Sequence, residues 1–410
     1  MARPKVDLLL SGASEVITCA PDAYNPVGRL REVDIAVRGE TIAAVAPRAE
    51  LERVFDLSGA EKIALDGKIA APGFVDCHTH LVFGGSRARE YAAKMTRTAQ
   101  EVTALGIPSG IQATVQMTRA SSRETLANSA QRILERMLRC GTTTVESKSG
   151  YGLSLERELE LLQVNRVLQG RQPVDIVSTF LGAHDFPADV PRQDYLDCLI
   201  KEMIPQVAQE GLAEYCDVYC DAGYYTVDET RRILEAGERW GLRPKVHVDA
   251  YANIGGSAVA ADLRAVSADH LNYTARSEMA RLAQAGVVGV VMPGLDFAVR
   301  HPRPFDARAM LAEGMELALA TDFCPACWME SMQMVMQLAC RLYSLSPEEV
   351  LLAATSGAAH ALGLRDRGVL APGFLADIQI WDLPSFEDVI YRIGSNAVVT
   401  VVKRGRVFRF

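Results

Sequence analysis

Eight apolar, strand-like runs alternate with helix-period segments between residues 69 and 365, and nothing else in this 410-residue chain restricts its fold as much. The runs fall at 69–81, about 142–146, 175–182, 216–220, 244–249, 265–271, 286–292 and 315–321. Strands separated by helices pair in parallel through crossover connections. Eight such units over about 300 residues fit a closed (β/α)8 barrel. An open doubly wound sheet is the rival, but no G-x-G-x-x-G fingerprint follows the first run. Helix signals support the alternation. Thr226 with Glu229 three residues later opens a helix to Trp240, and Gly241 stops it. Ser346, Pro347 and Glu349 open another over 346–362.

The two ends read differently. Residues 1–68 show short strands such as Asp34–Val37 and Thr41–Val45 around a turn at Arg38, Gly39 and Glu40, with no convincing amphipathic helix. Residues 366–410 return to strands at Asp377–Trp381, Val398–Val402 and Arg406–Phe410. Neither end has many strands alone, so together they are expected to form one small β-sandwich beside a barrel over 69–365. Hydrophobic residues make up 49% of the chain, enough for both cores. The net charge of −8 gives no bulk attraction to nucleic acid or to anionic membranes, and both are set aside as partners. Nine irregularly spaced cysteines and no long apolar segment predict a reduced, cytoplasmic protein. Cys216, Cys220, Cys324 and Cys327 are read as buried free thiols.

Candidate chemistry sits at the strand ends. In Phe74-Val-Asp-Cys-His78-Thr-His80 the two histidines share one face of a strand. An H-x-H pair alone is weak. However, His247 ends the fifth run, His270 the sixth and Ala318-Leu-Ala-Thr-Asp322 the eighth. C-terminal strand ends of a barrel open on one mouth. A lone histidine is usually a satisfied core or surface residue. Four of only seven histidines converging there with a carboxylate make a metal site the better reading.

These residues, with Pro72–Gly85, Glu146-Ser-Lys-Ser-Gly-Tyr-Gly152, Thr179–His184, Ser267–Leu271 and Ala320–Phe323, resemble the amidohydrolase superfamily and, within it, the imidazolonepropionase family. The resemblance runs over nearly the whole chain. It implies His78, His80, His247 and Asp322 as ligands of one divalent ion, zinc or iron, and hydrolysis of a small anionic cyclic amide, 4-imidazolone-5-propanoate, to N-formimidoyl-L-glutamate. It further implies a homodimer. In this scheme Asp322 carries a proton from water to the leaving nitrogen, and the metal or neutral His270 steadies the oxyanion. Arg87 would anchor the propionate, and Tyr151 and His184 would touch the substrate. Lys148 is read as structural or supporting rather than as a metal bridge.

Three positions depart from the family pattern. Ala250 stands where a glutamate or glutamine is usual, Glu101 is taken to replace a tyrosine, and Cys324-Pro-Ala326 replaces Asn-Pro-Gly. Asp249 is a candidate substitute for the missing side chain at 250. All three are expected on the substrate side. They keep open a related lactam hydrolase or a deaminase and, more remotely, a non-catalytic metal-binding scaffold.

Overall fold

The computed structural model describes residues 3–20 and 25–410. Eight strands form the barrel: Phe74–Asp76, Thr142–Lys148, Asp175–Ala183, Tyr215–Cys220, Arg243–Val248, Ser267–His270, Val288–Val291 and Leu317–Leu319. Each pairs in parallel with the next. The eighth meets the first just beyond their ends. His80 N donates to Phe323 O at 2.8 Å and Asp322 N to His78 O at 3.1 Å. Closure therefore runs through three of the residues of interest, His78, His80 and Asp322. Helices pack outside. Arg123–Arg139, for example, turns Leu126, Ala130, Ile133, Leu134 and Met137 inward at helical spacing.

The run expected as one strand over 69–81 is two. Ile69–Pro72 pairs antiparallel with Ile378–Trp381, in a sheet outside the barrel, and the barrel strand begins at Phe74. Gly73 is the crossing point. A Cβ there would lie 2.4 Å from the Thr143 side chain. The end segments form the expected sandwich. One sheet joins Thr41–Ala46, Asp34–Arg38, Leu8–Ser11 and Glu61–Ala64. The other joins Arg406–Arg409, Val398–Lys403, Ile378–Trp381, Ile69–Pro72, Glu15–Ile17 and Arg29–Leu30. Leu8, Leu10, Ile35, Val37, Ile378, Ile380 and Val402 pack between them.

Thr226 and Glu229 form the expected capping box for Val227–Arg239. The helix expected over 346–362 is broken into Pro347–Ala353 and Ser356–His360, where Thr355 leaves helical geometry and its hydroxyl bonds back to Leu351 O. A short helix, Arg48–Val54, occurs in the N-terminal zone where none was expected; it buries only Leu51, too little for a sequence period. Among the described residues no helix is long and apolar enough to cross a membrane. All nine cysteines are free thiols, with Cys216, Cys220, Cys324 and Cys327 buried as expected.

Candidate metal centre

Alternation along the barrel strands directs the chemistry. His78 and His80 leave the end of the first strand toward the axis, and both are buried. His247, on the fifth strand, reaches the same point, and its ring centre is 4.5 Å from that of His78. Asp322 follows the eighth strand. Its Oδ1 lies 3.7 Å from His78 Nε2 and 3.6 Å from His80 Nε2. Two ligands about 2.1 Å from one ion at a tetrahedral angle stand about 3.4 Å apart, so these spacings suit a shared cation.

The donors are also chemically unfinished. His78 Nε2, His247 Nε2 and Asp322 Oδ1 are buried and have no hydrogen-bond partner. Buried polar atoms are nearly always paired, and three orphans facing one another ask for a common partner. Burial, then the Lys148 charge, holds His78 and His247 well below the ordinary histidine range. Burial, then His184, does the same for His80. Neutral imidazole is the ligand form. Burial pushes Asp322 well above the usual carboxylate range, against Lys148. A bound cation would favour the opposite, charged state. The donor set therefore fits a metal ion.

Supporting contacts aim two of the rings. His78 Nδ1 donates to Asp269 Oδ2 at 2.6 Å, and His247 Nδ1 to Asp217 at 3.0 Å. A carboxylate on Nδ1 leaves the Nε2 lone pair for the ion. His80 is held differently. Its ring stacks on His184 at 4.8 Å and 13°. Asp217 and Asp269 escaped the sequence reading. A signal was present, since a carboxylate inside an otherwise apolar strand must be partnered.

His270 reaches the same mouth, 5.1 Å from the His247 ring, and burial lowers its pKa to about 4. The backbone is unusual around the site. His270, Leu271, Asp249 and Asp322 all have positive φ, from 46° to 82°. Non-glycine residues seldom adopt it, and such departures gather at functional sites.

A cavity of about 590 Å³ opens above the donors. It is lined by His80, His247, His270 and Asp322 and by all three expected substrate residues, Arg87, Tyr151 and His184. Arg87 is not free. Its Nε and one terminal nitrogen are bound by Glu90, at 2.5 and 2.9 Å. Sequence reading missed Glu90, a buried carboxylate within a polar, non-periodic stretch.

Residues 104–409 match the model of the amidohydrolase family. An imidazolonepropionase from Geobacillus kaustophilus is 41% identical over 99% of this chain and 96% of its own. Another from Symbiobacterium thermophilum is 41% identical over 98% and 97%. The chain belongs to the imidazolonepropionase family of amidohydrolases. It is a hydrolase. In fold it resembles a zinc-bound adenosine deaminase from Xanthomonas campestris, with a TM-score of 0.76 at 20% identity over 99% of this chain and 93% of that one. It also resembles atrazine chlorohydrolase TrzN from Arthrobacter aurescens, with a TM-score of 0.72 at 19% identity over 98% and 94%.

Against that family, the three departures do not share a place. Cys324, Pro325 and Ala326 line the cavity, as expected. Glu101 does not. It is exposed and closes a capping box with Thr98 at the start of Ala99–Ala104. Ala250 is buried, and its carbonyl accepts from His301 Nε2 at 2.9 Å. Asp249 cannot replace a side chain there. The strand ends at Val248, Asp249 turns left-handed and is not among the residues lining the cavity, and its Oδ2 is taken by Ser257 and Thr274.

Proposed function

We propose that this site opens the ring of 4-imidazolone-5-propanoate by hydrolysis, giving N-formimidoyl-L-glutamate, with one divalent ion held by His78, His80, His247 and Asp322. The observation that carries the reading is the set of buried, unpartnered donor atoms facing a cavity that also contains Arg87. Zinc and iron both suit three imidazoles and a carboxylate. What a divalent cation supplies at this place is Lewis acidity.

The residues supply the rest. Asp322 accepts the proton of the attacking water and returns it to the leaving ring nitrogen. His270, neutral near pH 7, donates to the oxygen that gains charge as the carbonyl is attacked. Glu90 holds two nitrogens of the Arg87 guanidinium and leaves the third for the substrate carboxylate. His184, whose Nδ1 is bound to Gly150 O, and Tyr151 wall the ring on the side of His80. The family's homodimer and a cytoplasmic location belong to the same proposal.

The test is loss of the substrate's ultraviolet absorbance with the metal-loaded protein, and appearance of formimidoylglutamate. No turnover by protein that carries metal would overturn the reading. Arg87→Gln is expected to raise KM by about tenfold or more, with a smaller change in kcat. One observation favours a second reading. Ala250 brings no functional side chain where the family usually brings an acid or amide. A related ring is then the substrate, and ammonia release across a panel of cyclic amides and amines identifies a deaminase. Metal uptake without turnover of any of them leaves a scaffold.

A further inference from the structure

Lys148 bonds to none of the four donors, yet it holds the groups that aim two of them. It lies on the second barrel strand and is buried. Its Nζ is 2.7 Å from Asp217 Oδ2, 3.0 Å from Glu146 and 3.5 Å from Asp269 Oδ2. Asp217 takes the Nδ1 hydrogen of His247 at 3.0 Å. Asp269 takes that of His78 at 2.6 Å, on the same oxygen that faces Lys148. Strands two, four and six thus supply one interior layer of charge, as alternate barrel strands do. The histidines of strands one and five rest on it. Lys245, two residues before His247, reaches Glu146 at 3.0 Å from the other side.

We propose that Lys148 is a positioning residue that couples His78 to His247, one ammonium fixing the two carboxylates that set their ring orientation and tautomer. The inference rests on reading the four donors as a metal site. Its logic is geometric. Each ring presents Nε2 to the centre only while Nδ1 carries the hydrogen and a carboxylate receives it. Neither carboxylate is held by the histidine alone. Ser267 Oγ donates to Asp269 Oδ1 at 2.6 Å, but the oxygens that face the histidines both lean on the same Nζ, so a change at one is felt at the other. A carboxylated lysine would not serve. It would add a fourth anion among Glu146, Asp217 and Asp269 and remove the cation they share.

Two variants test this. Lys148→Arg keeps the charge and changes the donor geometry, and Lys148→Gln removes the charge. The readouts are zinc affinity by competition with a chelator, and the ring ¹⁵N signals of His78 and His247 in the metal-free protein. We expect zinc affinity to fall about tenfold in K148R and about a hundredfold in K148Q. Both rings should move together from the Nδ1–H form toward a mixture. Zinc affinity of K148R within about threefold of wild type, or movement of only one ring, overturns the proposal. If K148Q does not fold, K148R decides alone. If the wild-type protein takes up no zinc, the metal reading fails instead. The ring signals still judge the role of Lys148.

Discussion

Two clusters of largely buried charge among the described residues invite comparison, and one of the two is closed. Beneath the mouth, Glu146, Lys148, Asp217, Lys245 and Asp269 support histidines whose Nε2 atoms have no partner. Where the third barrel strand begins, Asp175 takes Arg367 at 2.6 Å, Lys403 at 2.9 Å and Arg404 at 2.9 Å. Asp377 takes Lys403 at 2.7 Å and the Arg404 backbone N–H at 2.9 Å. Asp175 belongs to the barrel, and Lys403 and Arg404 belong to the terminal sheet, so this second cluster ties the two cores. It has no orphaned atom among the described residues. The same chemistry, buried carboxylates facing cations, is complete at the junction and unfinished at the mouth. The unfinished one marks where a ligand belongs.

The contrast breaks first at the mouth. On the proposed function, Asp322→Asn keeps the shape but removes the negative ligand and the proton carrier. We expect kcat to fall by about 10³-fold or more. Metal content by elemental analysis should fall with it, while the thermal midpoint of the metal-free protein changes little. Full turnover with metal retained would contradict both roles given to Asp322.

The junction should respond in the opposite sense. Asp175→Asn leaves three cations around an uncharged amide. The cost is about 2 kcal/mol, discounted from a fully buried pair because Asp175 keeps some exposure. Urea unfolding measures it, and kcat per folded molecule should stay within about twofold, since nothing at this junction touches the cavity. Loss of activity without loss of stability would mean that the junction reaches the site.

Acid sharpens the same point. Burial alone would raise the Asp175 pKa, but Lys403, Arg404 and Arg367 hold it down at about 2. A carboxyl with a folded pKa below its unfolded value stabilises the fold above the unfolded one, near 3.8. That stability is lost as the pH falls from about 4 through about 2. The wild-type protein should therefore lose stability more steeply across that window than D175N. Parallel unfolding curves against pH would show that Asp175 is not so held.

The two clusters also differ in how far the sequence revealed them. His78, His80, His247, His270 and Asp322 were legible because each closes an apolar run, and strand ends of a barrel share one mouth. Asp217, Asp269 and Lys245 lie inside such runs, at Cys216-Asp-Val218, Ala268-Asp-His270 and Pro244-Lys-Val246. Their charge signalled a partner, but no spacing rule names a partner across the barrel. Asp175 is separated from Lys403 and Arg404 by more than two hundred residues and meets them only because the terminal sheet docks on the barrel. Glu101 is expected on the substrate side because its six-residue helix is too short to show a period, and Asp249 because strand regularity is assumed past Val248. A left-handed residue at 249 cancels alternation, and nothing in Val248-Asp-Ala250 announces it. The run at 69–81 hid a change of sheet for the same reason: apolar residues continue while Gly73 redirects the chain.

The smallest effect tests redundancy. Arg404→Ala removes the most exposed cation at Asp175, with its side chain 35% accessible, and leaves Arg367 and Lys403 in place. Arg404 also binds Glu40 through its other terminal nitrogen, but that partner is itself 62% accessible and well screened. The expected loss is below about 1 kcal/mol by urea unfolding. At the mouth there is less to spare, because the Nδ1 atoms of His78 and His247 have one carboxylate each and both carboxylates face one lysine, with Ser267 Oγ as a further donor to Asp269 alone. If R404A costs as much as D175N, the junction is a cooperative network rather than a set of parallel ties, and closure would not by itself explain its tolerance.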